Sequence, residues 1–113
     1  MVRIVFDIDD TLWKIERDEE GKMLRQVPNY DLISVLRWFH NNGDKVFVWS
    51  AGGADYAQTI VDKLGLSKLV TVITKINSAK LLEKRYEGMD IAFDDCETNL
   101  AKVDIRVQRI PKK

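Results

Sequence analysis

The sequence has one cysteine, one histidine and no net charge. Each scarcity excludes something. Cys96 alone rules out an internal disulfide framework and a CxxC metal cluster, and one free thiol suits a reducing compartment. His40 alone excludes a histidine-based metal site by count and reads as a structural residue near a helix end. Eighteen Lys and Arg balance eighteen Asp and Glu, so the basic excess of a dedicated nucleic-acid or membrane-surface binder is missing. No apolar run approaches the ~20 residues of a membrane span, and the apolar stretch within Met1–Asp7 is too short for a signal peptide. There is no internal repeat, low-complexity segment or linker. These exclusions leave the expectation of a soluble, cytoplasmic chain. Its 113 residues, 45% hydrophobic, suit one domain whose core buries roughly two-thirds of the unfolded surface.

Short β-rich runs alternate with helical periodicity. Residues 2–7 form a nearly continuous apolar run, as in a strand covered on both faces. Residues 12–27 carry two mixed stretches around Asp18-Glu19-Glu20-Gly21, which predicts a small projecting hairpin. Asn29 can cap a helix from Tyr30 to about Asn41, with Leu32, Val35, Leu36 and Phe39 on one face and Gly43 as its stop. A second strand is expected at 45–49. A helix at 54–64 follows, with Ala57, Ile60, Val61 and Leu64 inward and Gly65 at its end. A third strand at 69–73, a short helix at about 78–86, and strands at 90–93 and 104–108 complete the pattern. Such alternation implies right-handed crossovers and a mostly parallel sheet. The expected class is therefore α/β, a three-layer Rossmann-like sheet of about five strands with helices on both faces and a hairpin flap after the first strand.

Open parallel sheets bind ligands outside the carboxyl ends of their strands. The first strand ends in Asp7-Ile8-Asp9-Asp10-Thr11, the second in Ser50-Ala51-Gly52-Gly53 and the fourth in Asp94-Asp95. Lys75 and Lys80 follow the third. Residues two apart in an extended chain point the same way, so Asp7 and Asp9 share a side. Like charges there repel and call for a cation. A few carboxylates with phosphate oxygens describe a Mg²⁺ site. Ser50 can donate to a phosphate oxygen, and Gly52 and Gly53 let backbone approach an anion at a helix N-terminus. These are the parts for phosphoryl transfer through an aspartyl-phosphate.

FDIDDTLW resembles the DxDxT motif of the haloacid dehalogenase superfamily of phosphatases. VFVWS is similar to that family's second motif, a strand ending in Ser or Thr, and IAFDD to its fourth, an acidic pair after a strand. All occur in the family's order across nearly the whole chain, and TLW with FDDCETN resembles its small magnesium-dependent phosphatase branch. The resemblance implies roles. Asp7 is the nucleophile, and Asp9 protonates the leaving oxygen and then activates water. Mg²⁺ is held by the Asp7 carboxylate, the Asp9 backbone carbonyl and Asp94, with Asp95 ligating directly or supporting a ligand. Ser50 grips the phosphoryl group, aided by Thr11 and the Ala51 and Gly52 amides. The family's lysine is Lys80, with Lys75 as its rival. The family's sheet order sets the first strand beside the fourth.

The family gains specificity from inserted cap domains. The gaps here hold only a hairpin and helix, and then a helix and strand, so the chain reads as one capless catalytic domain, residues 1–113. An open site admits a phosphorylated protein, a nucleic-acid end or a small phosphate ester, or else needs a second subunit, as a homodimer, for its lid. The hairpin, with Trp13, Lys14, Arg17, Lys22 and Arg25, is the candidate specificity element, although its basic residues also fit a solvated face. The tryptophans otherwise read as core or hairpin packing. A binding or regulatory protein on the same fold is the alternative function. A phospho-accepting receiver domain fits poorly, because the third strand ends in Thr74-Lys75 without an aspartate. A cysteine phosphatase fits no better, because position 102, six residues after Cys96, is Lys rather than Arg.

Overall fold

The computed structural model describes residues 1–74, 89–98 and 101–111. β1 (Arg3–Asp7) is apolar between its charged ends and buried from Ile4 onward. The chain then enters an antiparallel hairpin, β2 (Trp13–Arg17) and β3 (Met23–Pro28). The hairpin turns where the acidic tetrad predicts, with the Asp18 carboxylate accepting from the Glu20 and Lys22 amides. α1 (Tyr30–Asn41) begins under the Asn29 cap, whose side chain accepts from the Leu32 amide at 3.3 Å. The chain reverses at Gly43, φ 85°, a conformation costly for side chains other than Asn or Asp. β4 (Lys45–Trp49), α2 (Ala54–Lys63), β5 (Thr71–Val72), β6 (Ile91–Asp94) and β7 (Val103–Arg106) follow.

The sheet order is β5–β4–β1–β6–β7, and all four pairings are parallel. This is an α/β architecture with a second, two-stranded sheet in the hairpin. β1 lies at the centre, paired with β4 on one side and β6 on the other. The strand order therefore reverses at β1, and crevices at such reversals are where these sheets bind ligands.

One face of the sheet carries both described helices. Ile4, Phe6, Val46, Val48 and Phe93 pack there against Leu32, Ile33 and Leu36 of α1 and Ala57, Ile60 and Val61 of α2. Phe6 and Phe93 stack with centroids 4.7 Å apart. Full burial of each such side chain contributes about 1.5–3 kcal/mol. The opposite face buries Val5, Trp49 and Ala92 with Met89. The helix expected at 78–86 lies outside the described residues. Two carboxylates anchor the start of β1. Asp44 accepts from the Val2 amide at 3.1 Å and Asp90 from the Arg3 amide at 2.9 Å.

Several details differ from the sequence reading. Val35 is exposed on α1 and Ile33 is buried in its place. At 100° per residue these two flank the Leu32–Leu36 line symmetrically. Periodicity cannot choose between them; packing does, because Ile33 joins the buried cluster that holds Ala57, Ile60 and Val61 of α2. β5 keeps only two residues, since the Leu69 amide turns back to the Leu66 carbonyl. Trp13 and Trp49 are buried, but Trp38 is 60% exposed, edge-on to Phe39. Among the described residues no helix is long and apolar enough to cross a membrane.

Candidate active site

The register of the sheet builds the site. Asp7 pairs with Trp49 on β4, and Phe6 with Phe93 on β6. Ser50 and Asp94-Asp95 therefore emerge on either side of the residues that follow β1. They open onto a cleft of about 290 Å³ lined by Asp7, Asp9, Asp10, Ser50, Ala51, Gly52 and Asp95, joined by Arg17, Cys96 and Arg109.

The loop after β1 is tightly wound. The Asp7 carbonyl accepts from the Leu12 amide, and the Ile8 carbonyl from the Thr11 and Trp13 amides. Ile8 is buried beneath it, while Asp7 and Asp9 both reach the cleft, brought there by the turn rather than by continued strand. Asp10 has φ 62°, the only positive φ at a non-glycine position among the described residues. Its carboxylate is 2% exposed and takes both arms of the Arg17 guanidinium, at 2.8 and 2.7 Å. A bulge between Glu16 and Arg17 shifts the hairpin register and aims Arg17 at this loop. Of the five hairpin residues proposed for specificity, Arg17 alone lines the cleft. Trp13 is buried, Lys14 donates to the Gln108 carbonyl and Arg25 pairs with Glu16 on the hairpin itself.

Asp9 is held through one oxygen. Its Oδ1 accepts from Trp13 Nε1 at 3.1 Å and from the Tyr56 hydroxyl at 2.6 Å, while Oδ2 makes no hydrogen bond within the described residues. Burial and the Asp9 carboxylate push the Tyr56 hydroxyl up to about 12, so it stays a donor at neutral pH. Ser50 Oγ accepts from the Gly52 amide at 3.0 Å, which leaves its own proton to give. The Gly52 amide is thus spent within the loop, while Ala51 sits at the cleft wall. Gly52 is needed for space, because a Cβ there would lie 3.1 Å from the Tyr56 ring.

On the other side, Asp95 Oδ2 accepts from Arg109 Nε at 2.7 Å, and Arg109 also reaches Asp10 Oδ2 at 3.5 Å. The carboxyls of Asp7 and Asp94 act on that of Asp95. Burial raises its pKa, but the Arg109 bond and these neighbours outweigh burial and hold it below the ordinary carboxylate value. Asp94 is buried behind Asp95, with its Oδ1 accepting from the Cys96 amide. Ligand atoms of Asp94, Asp95 and Cys96 lie within 4.8 Å of one another.

The structure thus brings Asp7, Asp9, Ser50, Ala51, Gly52 and Asp95 to one cleft, with Asp94 directly behind it. Thr11 is not in that lining. Its side chain is fully buried and its Oγ1 has no hydrogen-bond partner among the described residues. Lys75 and Lys80 lie outside the described residues. Sequence reasoning missed Tyr56 and Arg109 altogether and did not foresee Arg17 as the partner of Asp10.

What fold and site define together is an acidic cleft at the carboxyl edge of a parallel sheet. The chain matches no protein-family model and no curated protein.

Proposed function

We propose that this chain is a Mg²⁺-dependent phosphomonoester hydrolase of the haloacid dehalogenase type, working through an aspartyl-phosphate. The observation that carries the reading is the meeting of Asp7, Asp9, Ser50 and Asp95 in one cleft. The donor set fits a hard divalent cation. The Asp7 and Asp95 carboxyls face one cleft, and carboxylates gathered in this way favour a cation between them. Four carboxyls against two guanidiniums make the lining acidic on balance, which favours a cation. Asp7, Asp95 and Asp94 would hold Mg²⁺ with the Asp9 backbone carbonyl. Bound there, it would neutralise phosphate charge beside the nucleophile.

In this reading an Asp7 oxygen attacks phosphorus and the bond from phosphorus to the ester oxygen breaks. Asp9 gives its proton to that leaving oxygen. Asp9 then takes a proton from water as the water oxygen attacks the aspartyl-phosphate. The bond between phosphorus and Asp7 breaks, releasing inorganic phosphate and restoring both carboxyls. Trp13 and Tyr56 hold Asp9 by Oδ1, so Oδ2 is the oxygen for proton transfer. Ser50 and the Ala51 amide bind phosphoryl oxygens, with Lys80, or Lys75 in its stead, adding positive charge. The second buried face at Val5, Trp49 and Ala92 supports the three-layer Rossmann-like arrangement that goes with this activity. No inserted cap is recognised in the sequence, so a phosphoprotein, a nucleic-acid end or a small ester can be the substrate, or a second copy the lid.

The test is hydrolysis of an aryl phosphate with and without Mg²⁺, for the wild type and Asp7→Asn. Release that needs Mg²⁺ and disappears in the folded variant is the expected result. No release from folded, Mg²⁺-bound wild type on any phosphomonoester would replace the enzyme with a binding or regulatory protein on the same fold.

A further inference from the structure

Two arginines line the cleft, and they are held differently. Arg17 is locked by both arms onto buried Asp10, and its side chain is only 23% exposed. Arg109 extends from the segment after β7 with a side chain that is 56% exposed. It bridges the two halves of the site, through Nε to Asp95 at 2.7 Å and, more loosely, to Asp10 at 3.5 Å. Asp95 Oδ2 is therefore the oxygen that Arg109 holds, and Asp95 is also a carboxylate that a divalent cation would need. A cation held by Asp95 and a guanidinium paired with the same carboxylate would lie a few ångströms apart, and the two positive charges repel.

We infer that Arg109 is a displaceable phosphate clamp. It rests on Asp95 until a divalent cation takes that carboxylate, and then turns, still tethered by Asp10, onto the phosphoryl group beside Ser50. This rests on the phosphatase reading and adds a positioning and binding residue to it. Three features of the structure support it. The Asp95 contact is made through Nε alone, and Nη2 makes only a long contact of 4.0 Å to Cys96 Sγ, a weak acceptor that a phosphate oxygen would outcompete. The exposed side chain has room to turn. The distance from Asp10 leaves a second carboxylate to keep the head group at the cleft mouth. Arg17, fully engaged, cannot take this role.

The experiment is a pair of calorimetric titrations on wild type, Arg109→Ala and Arg109→Gln, first with MgCl₂ and then with inorganic phosphate at saturating Mg²⁺. Removing the guanidinium is expected to tighten Mg²⁺ about fivefold, the worth of a partly exposed ion pair. The same change is expected to weaken phosphate about tenfold, the loss of one charge-assisted contact. These opposite signs separate a displaced clamp from a merely structural arginine, whose loss would weaken both or neither. Should both variants misfold, the Arg109 Nε–H resonance of the wild type is followed instead. It is expected to shift on adding Mg²⁺ and again on adding phosphate. A wild type that binds both ligands, with variants that bind Mg²⁺ no tighter or phosphate as well as before, overturns this inference alone. A resonance unmoved by Mg²⁺ does the same. A wild type that binds neither ligand overturns the phosphatase reading as well.

Discussion

The Asp10–Arg17 pair pins the loop that carries Asp7 and Asp9, and its worth can be worked out. Arg17→Met keeps most of the stem and removes the guanidinium. Asp10 would be left 2% exposed, with the Arg109 contact at 3.5 Å its only ion pair among the described residues. Stripping one partner from a buried ion pair costs about 3–5 kcal/mol. Partial exposure of Arg17 and the surviving Arg109 contact reduce this to about 2–3 kcal/mol. Removing both charges in Asp10→Asn/Arg17→Met takes away the orphaned carboxylate, and Asn tolerates the 62° φ at this position. That double variant should recover to within about 1 kcal/mol of wild type. Asp10→Ala/Arg17→Met should fall below it by a further 1–2 kcal/mol or so, the cost of a left-handed backbone at alanine. Urea unfolding with an unchanged slope reads each value as a shift in midpoint. The reasoning fails if Arg17→Met unfolds within about 0.5 kcal/mol of wild type, or if the double variant is less stable than the single one.

Three further outcomes are expected. Tyr56→Phe should cost about 1–2 kcal/mol in urea unfolding, because it deletes a donor to a carboxylate at a half-buried site. It should also lower turnover by freeing Asp9. Gly52→Ala should cost about 1 kcal/mol, since its Cβ forces the Tyr56 ring aside, and the loss should shrink in the Tyr56→Phe background. Asp90 is held below the ordinary carboxylate value chiefly by the Arg3 amide. Its contribution is therefore complete above about pH 4 and lost as pH falls through its lower folded value. Asp90→Asn should make the fall of Tm between pH 5 and pH 2.5 shallower.

Local chemistry was the most legible part of the chain. Asn29 and Gly43 mark α1 because a cap and a left-handed stop are properties of single residues. The hairpin turn at Asp18–Gly21 and the apolar run of β1 are equally local. Asp7, Asp9, Ser50 and Asp95 meet because each ends or closely follows a strand, and parallel strands share one carboxyl edge. What escaped needed the third dimension. Tyr56 looks like any residue on the flank of a helix until α2 sets it over Asp9. Arg109 stands fourteen residues beyond Asp95 in a stretch with no motif. Asp10 reads as one more acid in a DxDD run, and only its φ and its burial reveal that it braces the loop. Ile33 displaced Val35 for a similar reason, since a neighbour rather than the period decided.

The central place of β1 has a consequence for the order in which the molecule can be made. Its β4 edge can pair once residue 49 has been synthesised. Its other edge must wait for β6, whose partner contact to Arg3 spans 87 positions of sequence. Contacts of such separation form slowly, and at ordinary elongation rates the stretch from Trp49 to Asp94 takes roughly 2–9 s to emerge. During that interval the middle strand of the finished sheet is an edge strand, with open backbone groups and Val5 uncovered on one face. Asp7 is present from the first few residues, but Asp94 and Asp95 arrive late. The nascent chain therefore carries Asp7 without a site around it, and a truncation before β6 should yield an aggregation-prone fragment rather than a weakly active one.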